Sequence, residues 1–260
     1  MSGTSHTRRV NPTIGVLAMA ALVLVGTVVL AASSAHADTP RPGESRSTAP
    51  QMPILGLDVS SHQGSVDWRS VAAKGARFAY VKATEGTGYV NNYFAQQYNG
   101  SAAVGLIRGA YHFALPNISG GEAQANYFFL HGGAWSADGR TLPPAVDIEH
   151  NPYSGDVCYG LGHREMINWI KSFSDRVRLL THRWPTIYTA ADWWAKCTGG
   201  LAGFGGTNPL WLSRHQVDAG PTPYGWNAYT FWQYADSGVL PGGQDYFNGS
   251  YSRLLALAAG

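Results

Sequence analysis

Charged side chains are scarce in this sequence of 260 residues. They make up 13% of it, with 18 Lys and Arg against 16 Asp and Glu. The first 37 residues contain Arg8 and Arg9 but no acid, so the rest of the chain holds 18 − 2 = 16 basic and 16 acidic residues. A chain without net charge or a basic stretch lacks the electrostatic attraction that draws proteins to nucleic acids and anionic membranes. We therefore expect neither as a partner.

Cysteine is also scarce, since the chain has only Cys158 and Cys197. In an exported protein, one pair of cysteines indicates a disulfide, which for a loop of this size contributes about 3–4 kcal/mol if unstrained. Two free buried thiols are the alternative. The nine histidines form no close pair of the kind that binds metal, and the cysteines lack zinc spacing. The sequence thus predicts a disulfide, no metal site and no cofactor.

Long hydrophobic runs are missing except for one, from Ile14 to Ala32. This run follows Arg8 and Arg9 and precedes Ala35-His36-Ala37, which is a small-x-small cleavage motif. These features are typical of a secretory signal peptide, which we expect to comprise residues 1–37. The run is long enough for an uncleaved membrane anchor, but its glycines and the cleavage motif favour removal. We therefore expect a secreted, extracellular protein with no membrane attachment after cleavage.

The segment that follows the predicted signal peptide has almost no apolar side chains. Residues 38–53 are rich in Pro, Ser, Arg and Gly, a composition that cannot bury a core and is typical of a flexible leader. Residues 54–260 have the length of a single α/β barrel domain, and no internal repeat indicates a second domain. We expect this domain to be a monomer.

Strand-like and helix-like segments alternate along the first part of the predicted domain. The predicted strands span 54–59, 78–82, 106–113, 144–148 and 186–189, and the predicted helices span 66–75, 92–103, 119–131 and 162–180. The last of these helices is the clearest, because apolar residues recur on one face at steps of three and four. Ser119 and Glu122 have the spacing of a capping box at a helix start.

The second half of the domain is predicted to contain fewer helices. Short strands at 210–213, 230–234 and near 246–247 are separated by loops rich in Gly and Pro. Early alternation implies parallel strands joined by right-handed crossovers, and about eight strands in one domain favour a closed barrel. The predicted fold class is therefore α/β, an irregular TIM-like barrel.

Two acids, Asp147 and Glu149, stand at the end of the predicted fourth strand. Residues two apart on a strand face the same side, and active sites of such barrels lie at the carboxyl ends of the strands. Two carboxyl groups in such a position are suited to hydrolysing a glycosidic bond. An isolated Asp-x-Glu could equally cap a loop or pair with a cation. The spacing leaves open retention, inversion and a third route, in which a 2-acetamido sugar supplies its own nucleophile.

Other polar and aromatic side chains are predicted at or near strand ends. These are Asp58, Gln63, Glu85, Tyr111, His112, Tyr188, Trp211, Arg214, Gln233 and Asp245. The aromatic rings could line a sugar-binding groove or pack in the core, and the two glutamines could bind sugar hydroxyl or acetamide groups. Lys82 and Glu85 could form an ion pair at the rim. His112 could bond a carboxylate or be a core histidine.

Eight short motifs follow one another along residues 54–257. They are Gly56-Leu57-Asp58-Val59-Ser60-Ser61-His62-Gln63-Gly64 with Val66-Asp67-Trp68, Phe78-Ala79-Tyr80-Val81-Lys82-Ala83-Thr84-Glu85-Gly86, Gly109-Ala110-Tyr111-His112-Phe113, Ala145-Val146-Asp147-Ile148-Glu149, Pro185-Thr186-Ile187-Tyr188-Thr189, Leu210-Trp211, Phe231-Trp232-Gln233-Tyr234 and Phe247-Asn248-Gly249. Their order resembles that of glycoside hydrolase family 25, the Chalaropsis-type lysozymes. The resemblance implies a (β/α)5(β)3 barrel whose last three strands lack regular helices.

The resemblance also implies an activity and a site. A member of this family hydrolyses the β-1,4 bond between N-acetylmuramic acid and N-acetylglucosamine in bacterial peptidoglycan. By position, Glu149 is expected to be the general acid and later base, Asp147 to stabilise the acetamide or the charged transition state, and Asp58 to be a third active-site acid. Substrate-binding residues are expected among Gln63, Glu85, Tyr111, Tyr188, Trp211, Gln233 and Asp245.

One position departs from the family pattern. The family commonly has an acid four residues before the Phe of its last motif, and this chain has Gly243 there, with Asp245 as the nearest acid. Either Asp245 replaces the family acid or that role is dispensable. Two alternatives to a muramidase remain: a chitinase-like glycosidase that also uses the substrate acetamide, and an inactive wall-binding barrel. The intact pair of Asp147 and Glu149 argues against inactivity.

Overall fold

The computed structural model of the protein describes residues 53–201 and 203–260. The predicted signal peptide and, apart from Pro53, the predicted leader lie outside the described residues. Within the described ranges, no helix is both long enough and apolar enough to cross a membrane.

The described chain alternates strands and helices as far as residue 198. Its strands are β1 (Ile54–Val59), β2 (Phe78–Glu85), β3 (Tyr89–Val90), β4 (Ile107–Phe113), β5 (Ala145–Asp147), β6 (Thr186–Ala190), β7 (Leu210–Ser213), β8 (Phe231–Ala235) and β9 (Gly243–Phe247). Its α-helices are α1 (Trp68–Ala73), α2 (Phe94–Ala103), α3 (Gly121–Phe128), α4 (His163–Thr181), α5 (Ala191–Thr198) and α6 (Tyr251–Ala259). Every predicted strand and helix is present; β1 and β7 have the predicted ends, and the other elements have shifted ends.

Eight of the strands close into a barrel in the order β1-β9-β8-β7-β6-β5-β4-β2, and β2 pairs with β1 to complete the circle. The short β3 pairs only with the outer end of β2. The barrel strands are parallel except for β9, which is antiparallel to both of its neighbours, β1 and β8. Five strand–helix units therefore precede three strands that no helix separates, which confirms the predicted (β/α)5(β)3 barrel.

The barrel interior is filled by large side chains from alternate strand positions. Tyr80, Tyr111 and Trp211 are buried at its middle, where the Tyr80 and Trp211 rings stack with centroids 4.8 Å apart. Below them, Leu254 and Ala258 of α6 join the same buried cluster and close the amino-terminal end. The interior is thus a packed core. Toward its amino-terminal end the Tyr80 hydroxyl donates to the Pro143 carbonyl at 3.0 Å, whereas the acids of the barrel lie toward the carboxyl ends of the parallel strands.

The outer faces of most strands are covered by helices. One buried cluster lies between α1 and the first two strands, and a larger one lies under α3, α4 and α5. In α4, Met166, Ile170 and Phe173 are buried, as its apolar face predicted. Trp232, Tyr234 and Tyr246, on the outer face of β8 and β9, belong to none of these clusters and stay half-buried.

Two local predictions are wrong in detail. The capping box at Ser119 is absent, because α3 begins after Gly120 and no side chain caps it. The Ser119 carbonyl instead accepts hydrogen bonds from the Trp169 indole and the Gln124 amide, so tertiary contacts determine where the helix begins. The fourth predicted strand ends at Asp147, one residue early.

Candidate active site

The ends of β1 and β5 bring three predicted acids to one end of the barrel. Asp58 is on β1, Asp147 is the last residue of β5 and Glu149 follows two residues later. The residue between the two β5 acids, Ile148, explains their common direction. Its side chain is fully buried in the outer cluster, and its amide donates to the Tyr188 carbonyl at 3.0 Å. Strand-like geometry therefore continues past β5, and both acids face the barrel axis.

Asp147 is the more buried of this pair, with 8% of its surface exposed. Its Oδ1 atom is buried and accepts no hydrogen bond from a described residue. Burial, followed by the charge of Glu149, raises the pKa of Asp147 well above its usual value, and the Lys82 ammonium opposes this shift. The carboxyl group therefore lies where a hydrogen-bond donor from a bound molecule would meet an unsatisfied acceptor.

Glu149 is half-buried and accepts no hydrogen bond from the described side chains. Burial and then the charge of Asp58 raise its pKa to about 7, and His215 and Lys82 oppose the shift. A carboxyl group with this pKa holds its proton in a large fraction of molecules near neutral pH, as a general acid requires.

A hydrogen-bonded chain of side chains holds the third acid. Gln233 on β8 donates from Nε2 to Asp58 Oδ2 at 2.6 Å. The Gln233 Oε1 atom lies 2.8 Å from the Tyr188 hydroxyl and 2.9 Å from His215 Nε2. Burial raises the pKa of Asp58 to about 6, and the Gln233 bond is the largest effect that opposes this. Gln233 thus fixes the orientation of Asp58.

Asp245 lies beside Asp58 and is fully buried on β9. Its Oδ1 accepts a hydrogen bond from Trp211 Nε1 at 2.8 Å. Burial and the adjacent charge of Asp58 raise the pKa of Asp245 well above its usual value, so of these two neighbours Asp245 is the one that keeps its proton. Its Oδ2 atom is buried without a partner among the described residues. Trp211 is only 2% exposed, so neither Trp211 nor Asp245 offers a surface to a sugar ring.

Gly243 has no room for a side chain. A Cβ atom there would lie 1.9 Å from Asp58 Oδ2 and 2.6 Å from Gln233 Nε2. Asp245, two residues later on β9, faces the same side of the sheet. The acid that the family places four residues before Phe247 is therefore incompatible with this arrangement, whereas a carboxyl group at Asp245 reaches Asp58.

The remaining predicted residues lie around this cluster. Tyr111 on β4 is 7% exposed and packs edge-on against Trp211. Gln63 is half-buried near Gly242, and its Oε1 accepts from the Ser60 amide at 2.8 Å, which caps the short helical turn after β1. Gln63 thus keeps its amide nitrogen for other partners.

The rim carries an ion pair and a crossing loop. Lys82 Nζ lies 2.5 Å from Glu85 Oε2, as the sequence indicated, and 4.7 Å from the Phe113 ring centroid. Tyr153, from the loop between β5 and α4, donates its hydroxyl proton to the other oxygen of Glu85. Sequence patterns did not identify Tyr153 or His215 as site residues, because both lie in irregular loops where no periodicity indicates direction.

His112 lies outside the barrel interior and away from the acids. Its ring nitrogens contact Thr84 Oγ1 at 2.8 Å and Gln124 Oε1 at 2.9 Å, and its ring stacks on Phe173. Burial lowers its pKa to about 4, so it is neutral in the folded protein. Of the two alternatives for this residue, the core histidine is confirmed.

A disulfide joins Cys158 to Cys197, with Cα atoms 5.4 Å apart. Cys158 lies in the loop after β5, and Cys197 is in α5. The bridge therefore ties the loop that carries Tyr153 to a helix. Within residues 53–201 and 203–260, no group of His, Cys, Asp and Glu could hold a metal ion.

Comparisons with known proteins agree with this geometry. The family model described as "Glycosyl hydrolases family 25" matches residues 57–243. Lysozyme M1 from Streptomyces globisporus is 49% identical over 210 residues, which are 79% of this chain and 71% of that protein. N,O-diacetylmuramidase from Chalaropsis sp is 46% identical over 211 residues, which are 80% of this chain and all of that protein.

A solved structure gives the same result for the fold. Muramidase from Acremonium alcalophilum is 50% identical and superimposes with a TM-score of 0.78, covering 79% of this chain and 99% of that one. The family model spans most of the barrel, from β1 to the first residue of β9. Sequence, fold and site therefore lead to one conclusion: the chain is a glycoside hydrolase and belongs to glycosyl hydrolases family 25.

Proposed function

We propose that this enzyme is a muramidase that hydrolyses the β-1,4 bond between N-acetylmuramic acid and N-acetylglucosamine in bacterial peptidoglycan. The observation that carries the proposal is the pair of inward-facing acids at the end of β5, both with raised pKa values. Relatives at 46–49% identity bear the names lysozyme and N,O-diacetylmuramidase, which supports this choice of substrate.

In the first step, Glu149 acts as the general acid. With a pKa of about 7 it is protonated in slightly acidic and neutral solution, and no described side chain competes for its proton. It protonates the glycosidic oxygen as the bond to the anomeric carbon breaks. The resulting carboxylate then takes a proton from water, and that water completes hydrolysis.

Asp147 has a different role, which is to bind the acetamide group of the muramic acid residue. The unsatisfied Oδ1 atom would accept the acetamide N–H. This bond stabilises the charged form of Asp147 and lowers its pKa, so Glu149 is the member of the pair that carries a proton. The oriented acetamide oxygen attacks the anomeric carbon, and Asp147 stabilises the positive charge that develops on the acetamide. Water then opens this cyclic intermediate.

Asp58 lies at the same end of the barrel, where it adds a third carboxyl group beside the bound sugar. Gln233, Tyr188 and the protonated Asp245 fix its position, and we assign Asp245 the place of the family acid missing at Gly243. Trp211 positions Asp245 from below. These residues act through Asp58.

Substrate contacts are assigned to residues at the open end of the site. Tyr111, Gln63 and Glu85 lie there, and the Lys82–Glu85 pair joins Tyr153 at the rim. We also propose that residues 1–37 direct export, that residues 38–53 are a leader, and that the barrel acts as an extracellular monomer. The signal pattern supports export, and the composition of residues 38–53 supports a leader.

The test of this function is Glu149→Gln, assayed by release of soluble fragments from purified peptidoglycan. Removing the acid should lower kcat by about 100- to 10,000-fold, because that is the usual contribution of general acid catalysis. Glu122→Gln is the matched control, since that side chain is 64% exposed on α3. Wild-type turnover in Glu149→Gln would reject the assignment. Retention of anomeric configuration, followed by NMR, checks the acetamide route.

A further inference from the structure

An aromatic surface covers the outside of β8 and β9, where no described helix packs. We call it the β8–β9 aromatic face, and it consists of Tyr229, Trp232, Tyr234 and Tyr246. The Tyr234 and Tyr246 rings stack with centroids 4.3 Å apart, and Trp232 lies 5.9 Å and 6.0 Å from them. Tyr229 precedes β8, also packs against the buried cluster under α3, α4 and α5, and lies 6.2 Å from Trp232. All four are half-buried, so part of each side chain meets solvent.

The same two strands form the inner surface of the active site. Gln233 and Asp245 point inward, and their neighbours Tyr234 and Tyr246 point outward. The connection from β8 to β9 comprises residues 236–242 and includes the exposed Val239. The aromatic face is separated from the acids by the thickness of one strand pair, and a polymer that leaves the site across this connection would meet it.

The far end of the face opens into a cavity of about 390 Å³. Its lining includes Tyr229, Asn248 and Arg253. The Arg253 guanidinium makes no ion pair with a carboxylate of the described residues, so its charge is not compensated locally. A row of aromatic rings that ends at such a cation matches a ligand with apolar sugar faces and carboxylate groups.

We propose that the β8–β9 aromatic face is a second binding site for the peptidoglycan glycan strand, outside the active site. Pyranose rings present C–H groups that stack on the negative faces of aromatic rings. The carboxylates carried by the strand's muramic acid residues and peptides pair with Arg253. This site holds the enzyme on an insoluble polymer while the acids cut it, and it rests on the proposed substrate.

The reach of the face agrees with a polymer rather than a single sugar. The Trp232 ring centroid lies 6.2 Å from that of Tyr229 and 5.9 Å from that of Tyr234, so these rings span no more than about 12 Å. A row of this length contacts more than one sugar unit. Each contact contributes modestly, so removal of one ring should weaken binding without abolishing it.

The experiment measures binding of the Glu149→Gln protein to insoluble peptidoglycan and to chitin, which has the acetamido-sugar chain without carboxylates. Tyr246→Ala and Trp232→Ala should each raise the dissociation constant on both polymers by roughly two- to tenfold. Arg253→Gln should do so on peptidoglycan alone. The matched control is Tyr224→Ala, because that ring is 66% exposed on a different loop.

Unchanged affinity of the folded Tyr246→Ala protein would overturn the proposal, as would an equal loss in Tyr224→Ala. If Trp232→Ala fails to fold, Tyr246→Ala decides. An equal effect of Arg253→Gln on chitin and peptidoglycan would overturn the carboxylate contact. With Glu149 intact, Tyr246→Ala should lose more activity on insoluble peptidoglycan than on short soluble fragments. A wild-type protein that cleaves neither substrate would reject the proposed function instead.

Discussion

Burial is the first cause of the raised pKa at each of the four clustered acids, Asp58, Asp147, Glu149 and Asp245. A desolvated carboxyl group favours its protonated form, so the barrel end keeps protons near neutral pH that free carboxyl groups would lose. Hydrogen-bond partners then distinguish the acids. Asp58 accepts from Gln233 and has the lower pKa, whereas Asp147 has one oxygen without a described partner.

Gly243→Ala tests how closely these acids are packed. The added methyl group would lie 1.9 Å from Asp58 Oδ2, so Asp58 or β9 must move. Overpacking of this kind costs about 1–3 kcal/mol, and we expect the thermal midpoint to fall by roughly 3–10 °C and kcat/KM to fall further. Calorimetry and peptidoglycan assays measure both. Gly206→Ala is the control, since nothing lies within 4 Å of its added atom. Unchanged values for Gly243→Ala would contradict the prediction.

The positions of Asp58, Asp147 and Glu149 could be predicted from the sequence, because the ends of parallel strands meet at one end of a barrel. The burial of Asp245 could not be predicted. Because β9 is antiparallel to its neighbours, the beginning of this strand lies at the active-site end, and the Asp245 side chain is buried in the barrel. Tyr153 and His215 were also missed, since loop side chains reach the site through tertiary contacts that no local pattern encodes.

At the level of strands and helices, the first five units follow hydrophobic periodicity closely, and the errors occur at their ends. Ser119 and Glu122 had the right spacing for a capping box, but the Ser119 carbonyl is engaged by Trp169. For β8 and β9, the local pattern predicts the strands but not their surroundings. Alternating side chains indicate a strand, and they do not indicate whether a helix covers its outer face.

The disulfide is the strongest single link between two elements at this end of the barrel. It closes a loop of 39 residues, and its removal should cost roughly 3–4 kcal/mol. For the Cys158→Ser, Cys197→Ser double variant, we expect the thermal midpoint to fall by about 6–15 °C in calorimetry. Reductant should lower the midpoint of the wild-type protein similarly and leave the variant unaffected. A variant as stable as the oxidised protein would contradict this role.

For the molecule as a whole, buried ionisable groups should make stability depend on pH in a defined direction. His112 is neutral in the folded state, and its unfolded form, with a pKa of 6.5, still loses protons up to about pH 7.5, so His112 opposes the trend only at the lower end of the range. Glu149, with a folded pKa of about 7, binds more protons when folded than when unfolded, and so do Asp147 and Asp245. The free energy of unfolding should therefore fall as pH rises from 6.5 to 8.

Thermal or urea unfolding across this range measures the slope, and Glu149→Gln serves as the comparison. The variant should be more stable than the wild type at pH 8, and the difference should shrink toward pH 4.5, where Glu149 is protonated in the folded state. A wild-type stability that rises between pH 6.5 and 8, or a variant less stable at pH 8, would show that these carboxyl groups are not buried as described.

The place of β9 between β1 and β8 has a consequence for biosynthesis. Among the barrel strands it is the last to leave the ribosome, yet it completes the pairing of the first. A chain that stops before residue 243 would leave open edges on β1 and β8, and its Asp58 would lack the buried neighbour Asp245. We therefore expect a fragment that ends before β9 to be inactive and open to edge-to-edge association.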